Sequence, residues 1–397
     1  MNRLRTLMTS FVALIAAFVL PAAASAQMMG GMGMTQPFST QDVSDMTDFL
    51  SMNEDQTGIV MDMHSAYFAN WNKDQQTLSE AFQAGFEEAQ ANNDMTIYQE
   101  ISKMLQAFEV SSAKNLDRLF DDVQLLLNED QLTRWPPYEL RSFRQRTLPT
   151  VSGQGLSISG ASTDLIGIYE DKIVSELDDE EVKANLQGIL ASYEREMDTV
   201  LHTFIKVKDE TTEESLEIGM DWMNNMETIE TILKKFTDAA IEVRDVNDRY
   251  QGRIAAAIPD EPRAFWETAY NLSAAPAVYT PNYLNEAFGT ASELGDITED
   301  QKSQVTDLEA RYTSTASNIN TKWAKALRES EENISLQSMM QGQTQSGEAA
   351  EFRKQRKELD AQIYDQLASL LTEEQREKLP AKPSSNWRER FQFSNGQ

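Results

Sequence analysis

Apolar residues recur at three-, four- and eight-residue steps over long stretches of this chain, a period that predicts amphipathic helices. Ile97, Ile101, Met104, Phe108, Leu116, Leu119, Val123 and Leu126 form one such stripe on an otherwise polar segment. Val305, Leu308, Tyr312 and Trp323 form a second, and Phe352, Leu359, Ile363, Leu367 and Leu370 a third. No segment alternates as a strand does. The pattern predicts long helices over 53–91 and 95–127, over 178–208 and 213–257, and over two stretches beginning near 298 and 348, with breaks at 92–94, 209–212 and 341–347. Shorter helices are predicted at 42–50, 164–177 and 285–294.

A polar tetrapeptide opens each unit of this pattern and returns near its end. Asn53-Glu-Asp-Gln56 is followed 75 residues later by Asn128-Glu-Asp-Gln131, Asp178-Asp-Glu-Glu181 after 81 by Pro259-Asp-Glu-Pro262, and Thr298-Glu-Asp-Gln301 after 74 by Thr372-Glu-Glu-Gln375. A shared interval marks one unit used three times. Five of the six tetrapeptides fit a capping box, in which the first side chain accepts from a free backbone N–H and a Gln or Glu three residues on reaches back. Pro259 has no acceptor, although proline suits a helix start. Seven residues beyond the first position of each second tetrapeptide stands a large apolar residue, Trp135, Trp266 or Leu379, an anchor for a short closing helix. The predicted fold is therefore all-α, with three tandem units of long antiparallel helical hairpins, each closed by a short capped helix. The units span 38–147, 164–272 and 283–380, joined by linkers at 148–163 and 273–282, with a tail at 381–397.

Composition adds location and charge. Residues 1–26 read as a cleaved secretory signal, with Arg3 and Arg5 ahead of an apolar run and the small-residue site Ala24-Ser25-Ala26. A Met/Gly segment at 27–37 follows. With no cysteine there is neither a disulfide nor a thiolate, and packing alone must hold the fold. Removing the two leader arginines leaves 33 Lys and Arg against 64 Asp and Glu, a charge of −31 (33 − 64). Such a balance repels nucleic acid and anionic lipid. No later apolar run approaches a membrane span. The expected location is the periplasm or the exterior, with no membrane insertion.

Leu371-Thr-Glu-Glu-Gln375 and Ile297-Thr-Glu-Asp-Gln301 resemble the twice-used L-T-x-x-Q motif of the Spy/CpxP group of periplasmic proteins. The first unit carries Asn for Thr at both sites, and the middle unit is more divergent. The resemblance implies curved helical proteins that dimerise into a cradle and act as ATP-independent chaperones or as envelope stress and metal sensors. Its expected partners are unfolded or envelope client proteins. This chain departs from the pattern by fusing three units and by its acidity. Two other readings stand beside this one, an acidic structural or docking protein and a copper-handling protein.

Candidate chemistry is sparse. His64 and His202 occupy different offsets in their units, and no zinc, di-iron, phosphate-loop or nucleophile motif is present. No enzyme activity, cofactor or metal site is expected. Met28, Met29, Met32 and Met34 have the softness to bind Cu(I), but a Gly-rich linker explains them more simply. Met220, Met223 and Met226 beside Trp222 read as adaptable packing.

Overall fold

The computed structural model describes residues 36–92, 97–152, 157–218, 224–340 and 347–382. The predicted leader, the four methionines at 28–34, Met220, Met223 and most of the tail lie outside the described residues, as do most of the first and third predicted breaks. Among the described residues every regular element is helical. They run as Thr40–Phe49 (α1), Glu54–Asn92 (α2), Ile97–Gln124 (α3), Glu129–Val151 (α4), Leu165–Lys172 (α5), a 3-10 turn Val174–Glu176, Glu180–Ile218 (α6), Met226–Ala257 (α7), Asp260–Ala274 (α8), Pro276–Tyr279 (α9), Tyr283–Ser292 (α10), Glu299–Glu332 (α11), Leu336–Met340 (α12), Glu348–Leu370 (α13) and Glu373–Arg376 (α14). The chain divides into two compact units, Met1–Trp266 and Glu267–Gln397.

Each repeat is built on a pair of long helices that pack together: α2 with α3, α6 with α7, and α11 with α13. Cross-links fix the antiparallel sense, since Gln56 meets Leu126 while Asp74 meets Ser111, and Gln301 meets Leu370 while Arg356 meets Asn320. At 39 residues each, α2 and α6 are about 58 Å long. Packing of an apolar stripe, more than propensity, holds such helices in a folded protein. In the first repeat Val60, Tyr67, Leu116, Leu119 and Val123 pack with Val43, Met46 and Leu50 of the short helix and with Trp135 and Tyr138 of α4. In the third, Val305, Leu308, Tyr312, Ile363 and Leu367 pack with Leu284, Phe288 and Leu379.

Four local expectations differ from the structure. The middle pair is not interrupted at 209–212, because α6 runs through it to Ile218. Thr211 and Thr212 return their hydroxyls to the carbonyls of Val207 and Lys208, and Lys208 reaches Glu109 of α3 at 3.7 Å. Nor does Pro136 close a short helix, since α4 continues for 23 residues with three prolines inside it. Those prolines leave the carbonyls of Leu132, Thr133 and Gln145 without a helical donor, and all three residues are exposed to water. Their cost is offset by a buried row of Trp135, Tyr138, Ser142, Arg144 and Leu148.

The stretch predicted as the first linker is largely ordered and buried where it is described. Leu148 and Val151 lie in the last turn of α4, and Ile158, Ala161 and Thr163 are buried beyond it. Asn247 of α7, fully buried, donates to the carbonyls of Gly160 (2.7 Å) and Ala161 (3.3 Å), and Gly160 turns the chain with φ of 87°. The second predicted linker likewise folds, with Ala275 and Val278 packed against Trp323, Ala326 and Leu327.

Candidate functional site

The tetrapeptides converge in pairs. At the start of α2, Gln56 N–H donates to Asn53 Oδ1 (2.9 Å) while Asn53 N–H donates to Gln56 Oε1 (3.1 Å). Asn128 and Gln131 repeat the box at the start of α4. The hairpin brings the two starts together, and the glutamines bond to each other. Gln56 Nε2 donates to Gln131 Oε1 at 2.9 Å, and Gln131 Nε2 donates to Gln56 Oε1 at 3.0 Å. Their remaining amide hydrogens reach the carbonyls of Leu126 (2.8 Å) and Ser51 (3.3 Å). Every donor and acceptor of both amides is used, which only a glutamine can achieve, because a carboxylate has no hydrogens to give.

The third repeat builds a clasp from the residues at the matching positions, with Gln301 as the donor between its two glutamines. Thr298 and Thr372 cap α11 and α14 in full boxes with Gln301 and Gln375. Gln301 Nε2 donates to Gln375 Oε1 (3.1 Å) and to Leu370 O (2.9 Å), and Gln375 Nε2 donates to Asp296 O (3.0 Å). Gln131 and Gln375 are buried, and so are the anchors Trp135, Trp266 and Leu379. Two helix starts placed side by side present two positive dipole ends, and the acids of their first turns, Glu54, Asp55, Glu129 and Asp130 in the first repeat, offset them.

The middle repeat has no such pair. Its cap is Asp179 rather than Asp178, with Oδ1 accepting from Glu181 (2.8 Å) and Val182 (3.3 Å), so Glu181 falls within the first turn instead of closing a box. Three residues beyond the cap stands Val182, and Pro262 occupies the matching place in α8. Arg263 takes over part of the task, donating to the carbonyls of Ala255 and Ile258, both at 2.8 Å.

Two features were not read from the sequence. A tyrosine lies fourteen residues beyond each cap, from Asn53 to Tyr67, Asp179 to Tyr193 and Thr298 to Tyr312, and all three are buried. Tyr67 accepts from Phe38 N–H (3.1 Å), while Tyr193 donates to Asn247 and Tyr312 to Asp360, both at 2.9 Å. Burial raises the pKa of each hydroxyl. Around Tyr312 the network extends to Asn282, which donates to Asp360 Oδ2 (2.7 Å), and to Arg356, which pairs with Asp360 (2.9 Å) and Asn320 (2.7 Å) and also reaches the tyrosine hydroxyl. The second feature is Arg144 on α4, which bonds Asp164 (3.1 Å) and Glu194 of α6 while only 1 % exposed. Burial opposes its charge, and the two carboxylates more than compensate. Glu194 shares that one guanidinium with Asp164, and burial leaves its carboxyl above the ordinary value despite Arg144.

The histidines stay apart. His64 is buried with Nε2 against Phe38 O (2.7 Å), and His202 lies exposed over the Phe143 ring. Among the described residues no three His, Asp or Glu side chains converge as a metal would require, and no helix is long and apolar enough to cross a membrane. The fold and the clasps define an all-α repeat protein. No protein-family model, curated protein or solved structure matches this chain.

Proposed function

We propose that this is an exported client-binding protein that slows aggregation of unfolded or envelope proteins without ATP. The observation that carries the reading is where large apolar side chains stay exposed. Six of them, Ile59, Phe68, Met104, Val110, Leu125 and Leu132, sit on α2, α3 and α4 or the turn between the last two, on a surface dominated by carboxylates. Exposed apolar side chains rimmed by charge suit weak, exchangeable contacts with unfolded chains. The predicted signal and the L-T-x-x-Q resemblance support the same reading. An aggregation assay with two unrelated denatured clients and no nucleotide tests it. Both should be protected, the basic client better than the acidic one, with the gap closing as salt rises. Protection of neither would favour a docking role for one folded partner.

A further inference from the structure

The first and third repeats build the same clasp yet dress it differently. Ile59 lies one turn beyond Gln56, Leu125 precedes the residue whose carbonyl Gln56 binds, and Leu132 follows Gln131. The corresponding positions of the third repeat are Gln304, Ser369 and Arg376, also exposed and all polar. The geometry thus has no need of apolar residues there. The first repeat nonetheless leaves Ile59 and Leu132 each 44 % exposed and Leu125 84 % exposed. Burial stabilises Leu125 hardly at all and Ile59 and Leu132 only in part, so packing within the chain accounts for little of the choice at Leu125 and not for the large areas the other two leave in water.

Charge around the three side chains defines what would cover them. Residues 53–62 and 121–132 hold seven carboxylates and no Lys or Arg, and Arg134, a cation at this end, is held by Ser51 (2.8 Å) as Lys378 is by Asp296 in the third repeat, whose matching stretches add Lys302 and Arg376. Each apolar residue has a carboxylate three or four positions away: Asp55 and Asp62 beside Ile59, Asp121 and Asp122 beside Leu125, and Glu129 beside Leu132. On a helix that spacing is one turn. We infer that the clasp end of the first repeat is a docking site for a basic amphipathic segment, one that sets leucine-type side chains against Ile59, Leu125 and Leu132 and Lys or Arg against the acidic rim. The inference rests on the client-binding reading and gives it a place and a partner chemistry.

The test uses the full chain and a fluorescent peptide of Leu and Lys at helical spacing, with a twin carrying Glu for Lys. Anisotropy should show binding of the basic peptide alone, weakened by salt. The triple substitution Ile59→Gln, Leu125→Ser and Leu132→Arg installs what the third repeat already carries at exposed positions, so the fold should persist, as circular dichroism will verify. Binding should weaken about tenfold or more. Phe265→Ser, at an exposed apolar residue outside the site, should leave it unchanged. Asp121→Lys with Asp122→Lys should reverse the preference toward the acidic twin. Unaltered binding by the triple variant, equal binding of the twin by the native chain, or no binding of either would overturn the inference. Full client protection by the triple variant would also overturn it while leaving the client reading intact. Native peptide binding without client protection would do the opposite.

Discussion

The outer repeats and the middle repeat solve one problem by different chemistry. In the first and third, two helix starts must lie side by side at the mouth of a hairpin, and a pair of glutamines satisfies both caps, the neighbouring carbonyls and each other. In the middle, Val182 and Pro262 stand where the glutamines would be. There Arg263 serves the end of α7 and Arg144 ties the repeat to the one before it, while the hairpin keeps a tyrosine bond, Tyr193 to Asn247, of the kind Tyr312 makes to Asp360 in the third repeat. The difference teaches that the tetrapeptide does two separable things. Capping survives in the middle repeat through Asp179, but the lateral tie is lost with the glutamines.

The largest effects should come from the contacts peculiar to the middle repeat. Arg144→Met at neutral pH should cost about 3–5 kcal/mol by leaving two carboxylates without their partner, and adding Glu194→Gln should restore part of that in denaturant titrations. Trp266→Ala should cost about 3–5 kcal/mol, since the side chain is fully buried. Wild-type stability after either change would mean the repeat is held elsewhere. A smaller loss, about 1–3 kcal/mol, is expected at the clasps, where Gln131→Ala or Gln375→Ala removes a buried amide and leaves its part-buried partners each a bond short. Val182→Gln, at the corresponding position of the middle repeat, should change stability by only about 0.5 kcal/mol or less. Thr372→Ala, which removes one cap acceptor and keeps the glutamine tie, should cost about 1 kcal/mol.

The smallest effect is a pH dependence. Glu194 has a folded pKa above its ordinary 4.5, so the folded chain holds that proton more tightly than the unfolded one. Its contribution is fully present below about 4.5 and is lost as pH rises through the folded value. Denaturation midpoints should therefore fall with rising pH in that window, and less so in Glu194→Gln. An identical slope in both proteins would assign the dependence to Glu109, whose carboxyl burial also raises, or to the net acidic charge.

Much of this was legible in the sequence because it depends on local period and local caps. The stripes predicted the long helices, and the Asn or Thr with a following Gln predicted four of the capping boxes. What stayed hidden depends on partners distant in sequence. A cap motif shows why Gln56 bonds to Asn53, but nothing near it points to Gln131. The segment at 148–163 reads as a linker because Gly and Ser are frequent in it, and the partner that fixes Gly160 and Ala161, Asn247, lies far along the chain. Asp209-Glu-Thr-Thr212 reads as a break for a similar reason, since Lys208 finds its partner Glu109 on another hairpin. The fourteen-residue spacing from cap to tyrosine was visible, yet its meaning needed Asn247 and Asp360 beside it.

The central claim is that paired glutamines act as one unit, and a double-mutant cycle on Gln301 and Gln375 tests it most directly. Stability of the native chain, Gln301→Ala, Gln375→Ala and the double variant should give a coupling energy of about 0.5–3 kcal/mol, the range for groups in one hydrogen-bond network. Losses that add to within about 0.3 kcal/mol would contradict it and leave two independent helix caps.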